Sequence, residues 1–214
     1  MFLLLFQQNP VAAVAYAVGI LAGIVVHEAS HATSAYALGD DTAYRQGRVT
    51  LNPASHLELL SVLMVFLVGI GWGSTPVMPS KLRGGIWGPV SVAAAGPVSN
   101  LLVVALCAVL LRLEPFRGEY PLTLIWWLAF ANGVLFILNL IPIPPLDGSS
   151  ILYPFLPRSL GGFVSFMYEY GPRILFGLLI LSFLLPSFSP LNFVLALVGP
   201  LFDLLGLPPS PFLA

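Results

Sequence analysis

Residues 11–39 read VAAVAYAVGILAGIVVHEASHATSAYALG, and the fold turns on where such a run can reside. The stretch holds one formal charge, Glu28. At 1.5 Å per residue a helix over it exceeds the roughly 30 Å hydrocarbon core of a bilayer. The rest of the chain is of the same kind. Residues 89–111 and 120–146 hold no charge. Neither do residues 174–202, although Pro186, Pro190 and Pro200 interrupt them. Residues 59–70 are apolar but reach only about 18 Å as helix, which suits a re-entrant or interfacial segment better than a span.

Composition agrees with the runs. Of 214 residues, 58% are hydrophobic and 8% charged, against roughly 45–50% and 25% in soluble domains. Such a chain cannot cover a soluble surface, which excludes a soluble globular enzyme, a disordered chain and a nucleic-acid binder. The net charge of −1 implies no polyanionic partner. The single cysteine, Cys107, lies in an apolar run and permits no disulfide within the chain. The N-terminus, MFLLLFQQNP, has no basic region and no small-residue cleavage site, and reads as a short apolar cap.

The expected architecture is an all-α polytopic membrane protein with about four to five transmembrane helices, one domain over residues 1–214. Its parts are a helix at 11–39, a re-entrant piece at 57–71, a helix at 89–111, a broken helix at 122–146, and C-terminal helices at 161–185 and 191–207. The Pro-Ser-Phe-Ser-Pro stretch at 186–190 reads as the turn between the last two. Residues 42–52 and 71–79 are predicted to pair as a small β element near the cytoplasmic face. Val49 and Leu51 alternate there with Arg48, Thr50 and Asn52. Trp126 and Trp127 are expected at the membrane interface. Glu169 and Arg173, four apart, could pair on one helix face.

The first run also carries chemistry. His27-Glu28-Ala29-Ser30-His31 is H-E-x-x-H, and residues four apart share a helix face, so both imidazoles can reach one metal. Glu28 is placed to act as general base on a water activated there. The metal such a site favours is zinc, one per chain, which accepts neutral imidazole and keeps a position open in catalytic sites. Ionisable groups at membrane depth are costly and functional by default. The alternative is a buried polar cluster that packs helices together.

A third protein ligand is required. Asp147 is the best candidate, at the end of Asn139-Leu140-Ile141-Pro142-Ile143-Pro144-Pro145-Leu146-Asp147-Gly148. Three prolines in four residues cannot continue a helix, and irregular backbone at membrane depth survives where it is buried or lines a cavity. Gly148 would allow close approach at that point. On spacing alone, a Leu-Asp-Gly turn outside the membrane fits equally well. Parity favours the ligand. If 11–39 crosses, 89–111 returns and 122–146 crosses again, while 59–70 does not span, then Asp147 reaches the face that holds His27 and His31. The loops on that side carry Arg45, Arg48, Lys81, Arg83 and Arg158. The other side has Arg112 and Arg117, offset by Glu114 and Glu119. The positive-inside rule therefore puts the metal nearer the cytoplasmic face.

HEASH within an apolar helix and NLIPIPPLDG later in the chain resemble the site-2 protease family of zinc intramembrane metalloproteases. Arg48-Val49-Thr50-Leu51-Asn52-Pro53 with His56, Gly71-Trp72 with Pro76-Val77, and Ala95-Gly96-Pro97-Val98-Ser99-Asn100 are similar to stretches of its compact, prokaryotic-type members. The resemblance covers most of residues 20–150. It implies hydrolysis of a peptide bond within a cell membrane, with His27, His31 and Asp147 as zinc ligands and Glu28 as base. Asn139 would orient substrate or a neighbouring carbonyl. The substrate would be a single-span membrane protein whose helix unwinds near the metal. Glu58 departs from the expected aspartate, and there is no room for an inserted PDZ or nucleotide-sensing domain.

Two further polar residues are candidates for support. His56 could be a fourth ligand, but the open position of a catalytic zinc favours a structural contact. Asn100 could join helices by a hydrogen bond or support the active-site helices, and the sequence leaves both open. Two other functions compete: a membrane metal-binding or transport protein, and a non-catalytic scaffold. A transporter predicts repeats or paired broken helices, and a scaffold predicts a lost base or ligand. The sequence shows neither.

Overall fold

The structure is a computed structural model that describes residues 2–113, 118–185 and 190–207. Glu114 and Arg117 lie outside the described residues, as does the expected turn at 186–190 except for its last residue.

Helix α1 (Phe2–Gln8) leads into α2 (Pro10–Ala37). Asn9 starts α2 by accepting a hydrogen bond from Ala12 N at 2.9 Å, with Pro10 at the first helical position. Gly39, at φ +106°, follows its end and turns the chain where a side chain would be strained. After α3 (Thr42–Arg45) and α4 (Leu59–Val68) come α5 (Trp87–Leu113) and α6 (Glu119–Asn139). The chain then breaks at its prolines and resumes as α7 (Asp147–Leu152), α8 (Gly161–Leu184) and α9 (Pro190–Leu205).

Among the described residues, four helices are long and apolar enough to cross a membrane: Pro10–Ala37, Trp87–Leu113, Tyr120–Asn139 and Arg158–Ser182. The protein is a multi-pass membrane protein. The 10 residues of α4 rise only about 15 Å, too short to span.

Helices α2, α5 and α6 form the core. Gly19 and Gly23, four apart on α2, let α6 come close. A Cβ at Gly19 would stand 3.0 Å from Ala131 Cβ and 3.1 Å from the Trp127 carbonyl oxygen. One at Gly23 would stand 2.7 Å from Leu135 Cδ1. Contacts therefore advance together along α2 and α6, and the two run parallel. Against α5 they run in reverse, since Gly23 and His27 meet Asn100 whereas His31 meets Val92.

Three expectations are corrected. The small β element does not form: among the described residues, segments 42–52 and 71–79 contain no strand, and the one bridge joins Leu57 to Gly73. Thr42–Arg45 is helical, Asn52 spends its side chain capping the 3-10 turn Pro53–Ser55, and Pro76 and Pro79 have no N–H to give a ladder. Trp126 and Trp127 are each 4% exposed, packed among Tyr16, Phe130 and Phe202 rather than at a surface. Arg173 lies over the Tyr170 ring, 5.3 Å from its centre, and makes no ion pair with Glu169.

Candidate metal centre

His27 and His31 project from α2 into the core, 6% and 7% exposed. Each imidazole is fixed through Nδ1. That of His27 meets Asn100 Oδ1 at 2.7 Å, and that of His31 meets the Val92 carbonyl at 2.7 Å. A carbonyl can only accept, so Nδ1 of His31 carries the proton. Asn100 Nδ2 donates to the Gly23 carbonyl (3.2 Å) and to Asn132 Oδ1 (2.9 Å), which leaves Oδ1 as acceptor and puts the His27 proton on Nδ1 as well. Both Nε2 atoms therefore present lone pairs.

Those lone pairs converge. The two Nε2 atoms are 3.0 Å apart, and Asp147 Oδ2 lies 3.0 Å from the first and 3.3 Å from the second. Asp147 Oδ2 is buried and receives no hydrogen bond. Ligand atoms bound at about 2.0–2.1 Å to a tetrahedral ion stand roughly 3.3 Å apart. Three convergent acceptors at this spacing fit a divalent cation; among the described residues, His27, His31 and Asp147 form the group suited to hold one.

Asp147 reaches this point because α6 cannot continue. Beyond Asn139 the chain carries Pro142, Pro144 and Pro145, and Tyr153 Oη donates to the freed Pro142 carbonyl at 2.7 Å. Gly148 packs directly on the carbonyls of Leu140 and Ile141, so a side chain there would hold α7 away. Asn139 donates to the Leu135 carbonyl at 3.0 Å, within its own helix.

Glu28 is 8% exposed, and its neighbours come from segment 71–79. Thr75 Oγ1 donates to Glu28 Oε2 at 2.7 Å. Gly73 lies flat against the carboxylate, where a Cβ would stand 2.5 Å from Glu28 Cγ. Ser61 of α4 steadies this segment, donating to the Trp72 carbonyl (2.6 Å) and accepting from Trp72 N (2.8 Å). A cleft of about 200 Å³ opens beside His31 and Asp147, bordered by Thr75, Val77, Pro79, Val92 and Ser150.

His56 is not part of this cluster. It is buried, and its Nε2 bonds to the Thr50 carbonyl at 2.8 Å, which closes the loop before α4. Asn100 does reach the cluster. Sequence reasoning missed Thr75, Gly73 and Asn132, and quoted Gly96 only as part of the 95–100 stretch, with no place in the site. A Cβ at Gly96 would stand 2.5 Å from His31 Nε2 and 2.6 Å from His27 Nε2. Val92, Gly96 and Asn100 recur every four residues along α5, a spacing that marks one helix face and points to Gly96.

The architecture and this centre together define a class: membrane proteins that carry a metalloprotease-type metal site inside a helix bundle. Comparison with known proteins narrows it. The chain is 34% identical over 181 residues to "Putative zinc metalloprotease YwhC" of Bacillus subtilis, covering 78% of this chain and 80% of that protein. It is 33% identical over 151 residues to "Putative zinc metalloprotease Rip2" of Mycolicibacterium smegmatis, and over 149 residues to the Rip2 of Mycobacterium tuberculosis. It spans 56% of the length of each Rip2 protein. No family model and no solved structure matches. The chain belongs to the site-2 protease family.

Proposed function

We propose that this protein is a zinc-dependent intramembrane endopeptidase that cuts a transmembrane segment of a membrane protein. The observation that carries the reading is the convergence of three lone pairs, from His27, His31 and Asp147, at a cleft that also receives Thr75, the partner of Glu28. These three residues would hold one zinc ion per chain. Zinc supplies Lewis-acid activation of water and of the scissile carbonyl. Glu28 takes the proton from the attacking water and delivers it to the departing amine. Thr75 holds the carboxylate by one oxygen and leaves the other free for that transfer.

The substrate class follows from backbone chemistry. A helical segment has its carbonyls occupied, so the chain to be cut must unwind. Freed polar groups in a membrane need partners, and the extended segment at 71–79, which borders the cleft, offers backbone groups that a substrate strand can pair with. Asn139 and Gly148, beside the proline break, are the candidates for positioning it. The protein resides in the cell membrane with the metal nearer the cytoplasmic face, as the basic loops require, and α4 is its re-entrant element.

The test uses two variants of the detergent-solubilised chain. Glu28→Gln should retain zinc and lose cleavage of a single-span substrate, and unchanged cleavage would sink the mechanism. Asp147→Ala should lose zinc on dialysis against a chelator; full occupancy would remove Asp147 from the ligand set.

A further inference from the structure

A buried asparagine that touches neither the triad nor the cleft stands at the start of a directed hydrogen-bond chain. Asn132 on α6 is 0% exposed. Its Nδ2 donates to the Leu128 carbonyl at 2.8 Å, one turn back on its own helix. That bond fixes the amide, so Oδ1 points outward and accepts from Asn100 Nδ2 at 2.9 Å. Asn100, itself 0% exposed, is thereby held with Oδ1 toward His27 Nδ1, 2.7 Å away. The order is one-way: each amide gives its hydrogens toward α6 and α2 and turns its oxygen toward the next member.

We infer that Asn132 is a positioning residue that acts through Asn100 to hold His27 as the Nδ1–H tautomer, with the Nε2 lone pair free for the metal. The inference rests on the metal reading above. Flipping either amide would set the Asn100 NH2 against His27 Nδ1–H, donor against donor. The imidazole would then protonate on Nε2, where no metal can bind, or rotate away. Partners that orient a ligand imidazole contribute substantially to metal affinity. Gly23 makes the relay possible, because a Cβ there would stand 2.9 Å from Asn132 Oδ1. That is a second reason for glycine at a position where it already admits α6.

An apolar replacement and an acid replacement separate this role from packing. Asn132→Leu fills similar space and supplies no acceptor. Asn132→Asp, buried and uncharged, gives both functions back: its O–H donates to Leu128 and its carbonyl accepts from Asn100. The full chain in detergent is stripped of zinc and titrated with zinc against a chelating competitor. Thermal midpoints of the metal-free proteins are measured in parallel. Asn132→Leu should bind zinc about 10- to 100-fold more weakly than the parent, and Asn132→Asp should stay within about threefold. Equal affinity in Asn132→Leu, or equal loss in both variants, would overturn the relay while leaving the metal site standing. A parent that binds no zinc would overturn the metal reading and the relay with it. Should Asn132→Leu fail to fold, imidazole nitrogen spectra of the metal-free parent and Asn132→Asp decide: His27 protonated on Nδ1 in both supports the relay, and on Nε2 in either overturns it.

Discussion

Gly96 shows how closely single residues are held to their work at this centre. It lies inside α5, where alanine is the better helix former by about 1 kcal/mol. Yet a Cβ would sit within 2.6 Å of both metal-facing imidazole nitrogens. The rings cannot stay and admit it. Gly96→Ala should therefore lower zinc affinity at least about tenfold, the scale of a perturbed ligand orientation, without costing helix stability. Zinc retained through chelator dialysis, read beside the metal-free thermal midpoint, checks this; unchanged retention would refute it. The motif itself was legible, because H-E-x-x-H uses one helix and a fixed spacing. Thr75 and Asn132 were not. Thr75 meets Glu28 across 47 residues and Asn132 meets Asn100 across 32, and no local pattern encodes which distant segments will touch.

At the scale of elements, the junction after α2 decides how segment 71–79 is presented to Glu28. Asp40 is 0% exposed and anchors it. Its carboxylate accepts from Met78 N at 2.6 Å, from Thr42 N at 3.0 Å and from Thr42 Oγ1, and Lys81 stands 3.9 Å away. Burial pushes the Asp40 carboxyl up, but these hydrogen bonds and the lysine outweigh it and hold it below the ordinary value. Beside it, Lys81 and Arg45 pull the half-buried Asp41 down to about 2. A depressed folded pKa for Asp40 means stability that is complete above the unfolded value, about 3.9, and lost as pH falls through the lower folded value. Asp40→Asn would turn an amide NH2 toward a backbone donor, at about 1–3 kcal/mol for the unsatisfied group. The expected result is a thermal midpoint below the parent's from pH 7 to 5, with the gap closing only below pH 4. A gap independent of pH would show that the charge is not what matters. This junction also explains the missing sheet. Alternation at 48–52 reads as strand locally, but Asn52 and Pro53 start one 3-10 turn, Pro79 starts another, and Pro76 has no N–H to give a ladder.

At the scale of the molecule, parity ties the metal site to the membrane. The spans were legible because length and apolarity decide them. Trp126 and Trp127 were misread because an aromatic side chain serves a helix core as well as an interface, and only the position of α9, which brings Phe202, distinguishes the two. The parallel course of α2 and α6, with α5 reversed between them, requires the loop after α2 and the start of α6 to emerge on opposite faces. Arg45 and Tyr120 mark those places; their side chains are exposed by 76% and 67%. The native Cys107 is 1% exposed and so contributes little background to thiol labelling. With a membrane-impermeant maleimide, Arg45→Cys should label only in vesicles that present the cytoplasmic face, and Tyr120→Cys only in vesicles of the opposite orientation. Labelling of both from one side would break the parity and detach the metal site from a membrane-spanning α2. Opposite labelling with the sidedness reversed would keep the bundle and move the metal to the outer face, because loop charge bears on orientation alone and the packing that brings Asp147 to the histidines does not depend on it.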